Sequence, residues 1–251
     1  MAEALLELDK VGKSFGALRV TDDVTLDIAS GELHALIGPN GAGKTSLIHQ
    51  LSGMLAPDHG RILFAGEDVT RLGMHARARR GLVRTFQITS ILPRFTALEN
   101  AALAAQSLKA GRLRLFGDAA AEDELNEEAM AALARVGLED RARVTAGALS
   151  HGEKRSLELA VALALKPKLL LLDEPMAGAG AAESARLVEI LRQLKRRYTI
   201  LLVEHDMQAV FALADRVSVL VNGRLIASGE PAWVRADAQV QAAYLGEAAP
   251  C

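Results

Sequence analysis

The sequence predicts an α/β fold built on a parallel core sheet, and three observations predict it. Short apolar runs at residues 33–38, 169–172 and 199–203 alternate with stretches of helical spacing, the pattern of strand-helix-strand units. A glycine-rich loop, Gly38 to Gly43, joins the first of these runs to a helix. Alternating segments near the N-terminus, and an Asn222-Gly223 turn between two apolar runs near the end, add antiparallel pairs.

Taken in order, residues 5–11 and 24–28 alternate apolar with charged side chains, the period of half-buried antiparallel strands. Residues 33–38 are more continuously apolar, as a strand buried on both faces is. A helix over 45–53 follows, and the turn cluster Pro57-Asp58-His59-Gly60 leads into a short strand at 61–65. From Thr96 to Val136 the chain becomes rich in Ala, Leu and Glu, with Gly111 and Gly117 dividing it into helical pieces. The acidic run 122–128 reads as a solvated helix face, because it has no coherent metal-ligand spacing. Beyond it the pattern gives a helix at 153–165, a strand at 169–172, a helix at 182–197, a strand at 199–203 and a helix at 207–214. A hairpin with arms 217–221 and 224–227 completes the series.

Composition narrows the function. With 251 residues, 50% of them hydrophobic, the chain can bury one generous core with a sub-domain let into it. Lys+Arg 29 against Asp+Glu 31 leaves a net charge of -2, which argues against coating nucleic acid, so no nucleic-acid partner is expected. The single cysteine, Cys251, supplies neither a disulfide framework nor a cysteine metal cluster and suits a reducing, cytoplasmic setting. Met1 to Asp9 has no apolar core segment, so no signal peptide is expected there. The longest stretch without Asp, Glu, Lys or Arg is 45–57, too short and too polar for the roughly 20 apolar residues of a spanning helix.

Gly38-Pro39-Asn40-Gly41-Ala42-Gly43-Lys44-Thr45 matches the phosphate-binding loop, and it lies between a strand and a helix where that pattern works mechanically. The glycines free backbone N–H groups to face inward, and the helix N-terminus adds positive potential. Lys44 reaches terminal phosphates and Thr45 offers a hydroxyl to Mg²⁺. The run 169–172 ends in Asp173-Glu174, two adjacent carboxylates at the tip of a buried strand. Such a pair needs a cation, and beside a phosphate loop Asp173 suits the Mg²⁺ shell and Glu174 a general base for the attacking water.

Leu149-Ser150-His151-Gly152-Glu153 opens a helix with a serine cap and a glutamate three residues on, which by itself is a capping box. Placed 23 positions before Asp173, it resembles the signature loop of ATP-binding cassette ATPases. The resemblance extends along the chain. Phe15 lies 29 residues before Lys44, where that family carries an aromatic that stacks on adenine. Gln87 in Arg84-Thr85-Phe86-Gln87 matches the glutamine loop that contacts Mg²⁺ and water, and His205 in Val203-Glu204-His205-Asp206 matches the switch histidine that contacts the γ-phosphate.

The resemblance implies a P-loop NTPase of the ABC ATPase type: a mixed parallel core sheet, an antiparallel β subdomain and an inserted α-helical subdomain. Residues 1–251 would form one such domain, with core and β subdomain at 1–95 and 151–251 and the helical subdomain at 96–150. It implies ATP contacts from Phe15, Gly38, Pro39, Asn40, Gly41, Ala42, Gly43, Lys44, Thr45 and Ser46. Thr45, Gln87 and Asp173 would serve Mg²⁺, and Glu174, His205 and Gln87 catalysis. Family members bind head to tail, so Ser150, His151, Gly152 and Glu153 would act on the nucleotide of a second, identical or paralogous, ABC ATPase chain. The chain departs from the commonest pattern at His151 and Glu153, where Gly and Gln are usual, and at Gly180, where many members carry an aspartate that communicates across the dimer. That aspartate contact is therefore in doubt here.

Those departures, the long helical stretch after Gln87 and the ending with Gly229-Glu230-Pro231-Ala232 and Ala243-Tyr244-Leu245-Gly246 resemble the larger of two paired ATPases in branched-chain (hydrophobic) amino-acid importers. This implies transmembrane permease subunits as partners, a periplasmic substrate-binding protein indirectly, and a peripheral place on the cytoplasmic face of the inner membrane. The ATPase of the lipopolysaccharide exporter is similar too. A soluble, non-transport cassette ATPase is the contrasting class, usually marked by coiled-coil insertions or two cassettes in one chain. Arg71, Arg77, Arg79, Arg80, Arg84 and Arg94 fall in a stretch without Asp or Glu around Gln87. This is either a solvated face or, with Phe86 and the apolar residues of 88–92, a groove for a cytoplasmic helix of the membrane subunit.

Overall fold

A computed structural model of the chain describes residues 4–85, 91–108 and 123–245. The N-terminal alternation forms a hairpin, β1 (Ala4–Phe15) and β2 (Leu18–Ala29), paired antiparallel through Leu8 with Leu26 and Val11 with Val24. β4 (His59–Phe64) and the two-residue β5 (Glu67–Asp68) extend it into a four-stranded sheet of order β2-β1-β4-β5.

The apolar runs form the second sheet. β3 (Leu33–Ile37), β7 (Leu169–Asp173) and β8 (Thr199–Val203) are buried at every position and pair in parallel. β6 (Leu82–Arg84) extends one edge in parallel, while β9 (Arg216–Val221) and β10 (Arg224–Gly229) extend the other, giving the order β10-β9-β3-β8-β7-β6. Because side chains alternate across a strand, the two faces of this sheet feed different clusters. Leu169, Leu171, Leu201 and Val203 meet the β1–β2 side and helix α1 (Lys44–Ser52). Leu170, Leu172, Ile200 and Leu202 meet the opposite cluster, which contains α3 (Ala97–Ser107), α4 (Asp123–Ala134), α5 (His151–Ala164) and α6 (Ala181–Leu194). A third cluster joins Ile37, Val217 and Val219 to Val210 of α7 (Met207–Leu213) and Val234 of α8 (Pro231–Ala236).

Sequence reading misses β5, β6, α2 (Met74–Ala78), α8 and α9 (Ala238–Leu245). The first three span two to five residues, shorter than any window in which periodicity shows. The glycine breaks at Gly111 and Gly117 lie outside the described residues. No helix among the described residues is long and apolar enough to cross a membrane.

Candidate functional site

Register brings the motif residues together. Leu36 of β3 pairs with Val203 of β8, and Val203 pairs with Asp173 of β7. The segments after these strands, beginning at Gly38, Glu174 and Glu204, therefore leave one edge of the sheet at the same level. Carboxyl ends of parallel strands are where such sheets bind ligands.

The first segment is the phosphate loop. Gly38 and Gly43 sit at φ +156° and +104°, and a Cβ at either would fall 2.1 Å from a carbonyl oxygen, of Leu220 and Val20 respectively. No other residue fits those two positions. The loop also leans on the hairpin turn, where the Gly223 amide donates to the Ala42 carbonyl at 2.8 Å. Lys44 is buried and donates to the carbonyls of Gly38 at 2.5 Å and Pro39 at 2.9 Å, so its ammonium lies inside the loop. Asn40, Gly41 and Thr45 are exposed, and Ser46 is half-buried on the first turn of α1. That is a glycine loop at a helix N-terminus with one cation inside it, suited to phosphate.

The second segment carries the carboxylates. Asp173 is buried, and its Oδ2 accepts a 2.7 Å hydrogen bond from Arg84 Nη2. Its Oδ1 is buried with no hydrogen-bond partner among the described residues. A buried acceptor left open in this way fits a hydrated divalent cation. Among the described residues no group of three His, Cys, Asp or Glu side chains forms a cage for an ion. The open Oδ1 of Asp173 fits a Mg²⁺ carried by phosphates, because that ion commonly takes one or two protein groups plus substrate oxygens. Glu174 stands at φ +49°, its amide donating to Val203 O at 2.8 Å. Asp173 and Glu174 both line a cleft of about 250 Å³, together with Thr85, Lys154, Arg155 and Glu158.

In the third segment the exposed His205 follows Glu204, which is fully buried. Glu204 accepts the amides of Met176 at 2.7 Å and His205 at 3.1 Å, so one carboxylate ties together the turns after β7 and β8. Phe15, at the end of β1, is 53% exposed and carries Lys13 Nζ 5.5 Å from its ring centroid, leaving ring surface open for stacking.

Ser150, His151, Gly152 and Glu153 begin α5. Glu153 N donates to Ser150 Oγ at 3.3 Å and Ser150 N to Glu153 Oε2 at 2.9 Å, a complete capping box. Arg141 also binds Glu153, at 2.9 Å. The hydrogen bond to the Ser150 amide, then the Arg141 pair, holds the Glu153 carboxyl below the usual range. The cleft at this helix end is walled by Ser150, Gly152, Ala182 and Glu183 and by no residue of 38–46. His151 also lines the cleft of Asp173 and Glu174, which likewise takes no residue of 38–46. Gln87 and Phe86 lie outside the described residues.

Two arginines of the basic edge are not on it. Arg77 is 1% exposed and donates to the carbonyls of Leu72, Gln50, Leu51 and Thr70, while Arg84 is buried against Asp173. Arg71, Arg79, Arg80 and Arg94 are exposed. Motif reading also passes over Glu204, and over Arg155, which donates to Ala177 O at 2.7 Å and Glu183 at 3.1 Å. A charged residue directly after an apolar strand was the available signal for Glu204.

Comparison with known proteins agrees with this geometry. A family model described as ABC transporter matches residues 21–177, and one described as branched-chain amino acid ATP-binding cassette transporter matches residues 224–250. The chain is 37% identical to the high-affinity branched-chain amino acid transport ATP-binding protein LivG of Escherichia coli (strain K12), over 99% of this chain and 100% of that protein. It is 36% identical to the lipopolysaccharide export system ATP-binding protein LptB of Haemophilus influenzae, over 97% and 98%. The solved ADP conformation of MJ1267, an ATP-binding cassette of an ABC transporter, superposes with a TM-score of 0.86 at 30% identity, covering 98% of this chain and 100% of that one. With the phosphate loop, the Asp173-Glu174 strand end and the capped signature helix in place, the chain belongs to the ABC transporter ATP-binding family, whose members hydrolyse ATP to drive transport.

Proposed function

We propose that this chain is the cytoplasmic ATPase of an importer for branched-chain or other hydrophobic amino acids. The match of residues 224–250 to the branched-chain cassette description carries that reading, and the end-to-end alignment with LivG supports it. The similarity to LptB supports a second reading, the ATPase of a lipopolysaccharide exporter.

In the mechanism, Phe15 stacks on adenine while the loop from Gly38 to Ser46 holds the phosphates through its backbone amides, Pro39 having none to offer. Lys44 exchanges the carbonyls of Gly38 and Pro39 for phosphate oxygens. Thr45 and Asp173, joined by Gln87, would hold Mg²⁺, which would neutralise charge on the phosphates. Glu174 takes the proton of the attacking water, and His205 reaches the γ-phosphate from a backbone fixed by Glu204. The cleft at Ser150 takes no residue of the phosphate loop, which supports a two-chain site in which Ser150, His151, Gly152 and Glu153 close over the nucleotide of a second cassette. In this arrangement residues 96–150 act as the helical subdomain, and 1–95 with 151–251 as the core and β subdomain. The pair sits peripherally on the cytoplasmic face of the membrane, beneath permease subunits that receive cargo from a periplasmic binding protein.

Deleting the gene separates the two readings. The deletion strain should lose uptake of labelled leucine, isoleucine and valine, with recovery from the unaltered gene but not from Glu174→Gln. Normal uptake accompanied by loss of surface lipopolysaccharide would instead support the exporter.

A further inference from the structure

The two oxygens of Asp173 live in different surroundings. Oδ2 is taken by Arg84 at 2.7 Å, in a pair whose side chains are only 5% and 1% exposed. Oδ1 is equally withdrawn from water but has no hydrogen-bond partner among the described residues. The pair is braced on both sides. Asp173 closes β7, Arg84 stands in register with Leu171 on the neighbouring β6, and Arg84 Nη1 also contacts Met54 Sδ at 3.2 Å. The carboxylate cannot turn Oδ2 toward the cleft without giving up a buried charge-assisted hydrogen bond.

We propose that Arg84 is a specificity-determining residue for the divalent cation: by occupying Oδ2 it leaves Asp173 a one-oxygen ligand, which suits Mg²⁺ and excludes two-oxygen ligation of Ca²⁺. The proposal rests on the reading of Asp173 as the metal-holding carboxylate. Mg²⁺ is small, keeps most of its waters and uses carboxylates one oxygen at a time in a strict octahedron. Ca²⁺ is larger, gathers more oxygens and readily takes both oxygens of one carboxylate. Removing the guanidinium strengthens the attraction of the site for both ions alike, since both are dications. Opening Oδ2 favours the larger ion alone. The ratio of the two affinities therefore reports ligand geometry, with the common electrostatic change cancelled.

The test uses the full-length chain with a non-hydrolysable ATP analogue and Mn²⁺ bound as a paramagnetic probe. Mn²⁺ is displaced by Mg²⁺ or by Ca²⁺, and the ratio of displacing concentrations is compared with that for the free analogue. The unaltered chain should favour Mg²⁺ about tenfold or more beyond the free analogue, the scale on which partners of metal ligands act. No preference beyond the free analogue would overturn the proposal without any variant. Arg84→Met, and Arg84→Gln with an amide too short to reach Oδ2, should lose that preference. Arg84→Lys, which keeps a donor for Oδ2, should retain most of it. Near-ultraviolet circular dichroism checks that each variant is folded. Folded Met and Gln variants that keep the unaltered ratio would overturn the proposal. Asp173→Asn isolates the underlying reading. If it leaves Mn²⁺ affinity unchanged, Asp173 is not the metal-holding group and both fall. If it lowers that affinity while the Arg84 variants keep the ratio, only the selectivity proposal falls.

Discussion

Glu174 adopts φ +49°, a left-handed conformation that costs an L residue on the order of 1–3 kcal/mol. Its neighbours hold it there: the Glu174 amide bonds Val203 O, and the next turn is tied to buried Glu204 through the Met176 amide. A strained residue bearing a half-buried carboxylate beside Asp173 is the arrangement expected of a working base. Two substitutions separate the strain from the chemistry. Glu174→Gln keeps the backbone and should leave ATP binding unchanged while turnover falls by about 10² or more, measured as phosphate release. Glu174→Gly relieves the backbone and should raise stability by about 1 kcal/mol in urea denaturation while also losing turnover. Unchanged turnover in the Gln variant would remove Glu174 from the base role. A less stable Gly variant would mean that the side chain supports the fold.

Helix α1 is fixed at both ends, and the two fixings were unequally legible. Its N-terminus follows the glycine loop, a sequence pattern that names its own geometry. Its C-terminus ends at Gly53, φ +80°, and on the guanidinium of Arg77, which bonds Gln50 O and Leu51 O at 2.7 Å each. Burial pushes Arg77 down to about 10, so it remains a cation at neutral pH and complements the negative end of the helix. Arg77→Met would strand carbonyls of α1 and of the segment around Leu72. It should cost about 3 kcal/mol or more in unfolding free energy, and a loss under about 1 kcal/mol would refute the clamp. From sequence, Arg77 is one more charge in a basic run, because its partners are backbone carbonyls that no side-chain pattern reveals. Arg84 is hidden for another reason: its partner Asp173 is 89 positions away and is reached through the three-residue β6. By contrast the Ser150–Glu153 box and the Asn222-Gly223 turn rest on contacts within a few residues, and the buried strands, whose partners are distant, still show as continuous apolar runs. Those local features are the ones that sequence reading recovers with near-correct boundaries.

At the scale of the whole molecule, the sheet bearing Phe15 meets the core sheet through a shared apolar cluster, a backbone hydrogen bond from the Asp22 amide to Gly223 O at 2.8 Å, and a seam of charges along their edge. Arg216 of β9 binds Asp27 of β2 at 2.9 Å and approaches Glu32 at 3.5 Å, and Arg224 of β10 binds Asp22 at 2.7 Å. The same hairpin supports the phosphate loop through Gly223, so this seam positions the adenine-facing ring relative to the phosphate cradle. The seam responds to acid in a definite direction. Hydrogen bonds from Arg216 and Arg224 hold Asp27 and Asp22 below their ordinary 3.8. Burial alone would raise Glu32, but hydrogen bonds from His34 and the Ala29 amide, with the Arg216 charge, hold it below 4.5. Carboxyls depressed in the folded state stabilise it fully above their unfolded values, and that stability is lost as pH falls through the folded ones. The contribution should thus be flat from pH 8 to about 5.5 and decline below about 4.5. Many other carboxylates titrate in that range, so the seam is isolated by difference. Arg216→Met should lower the urea midpoint at pH 7, and its gap from the unaltered chain should narrow as the pH falls through the lowered value of Asp27. A gap that keeps its size all the way down the acid titration would mean that Arg216 holds the sheets together by packing of its stem and not by its charge.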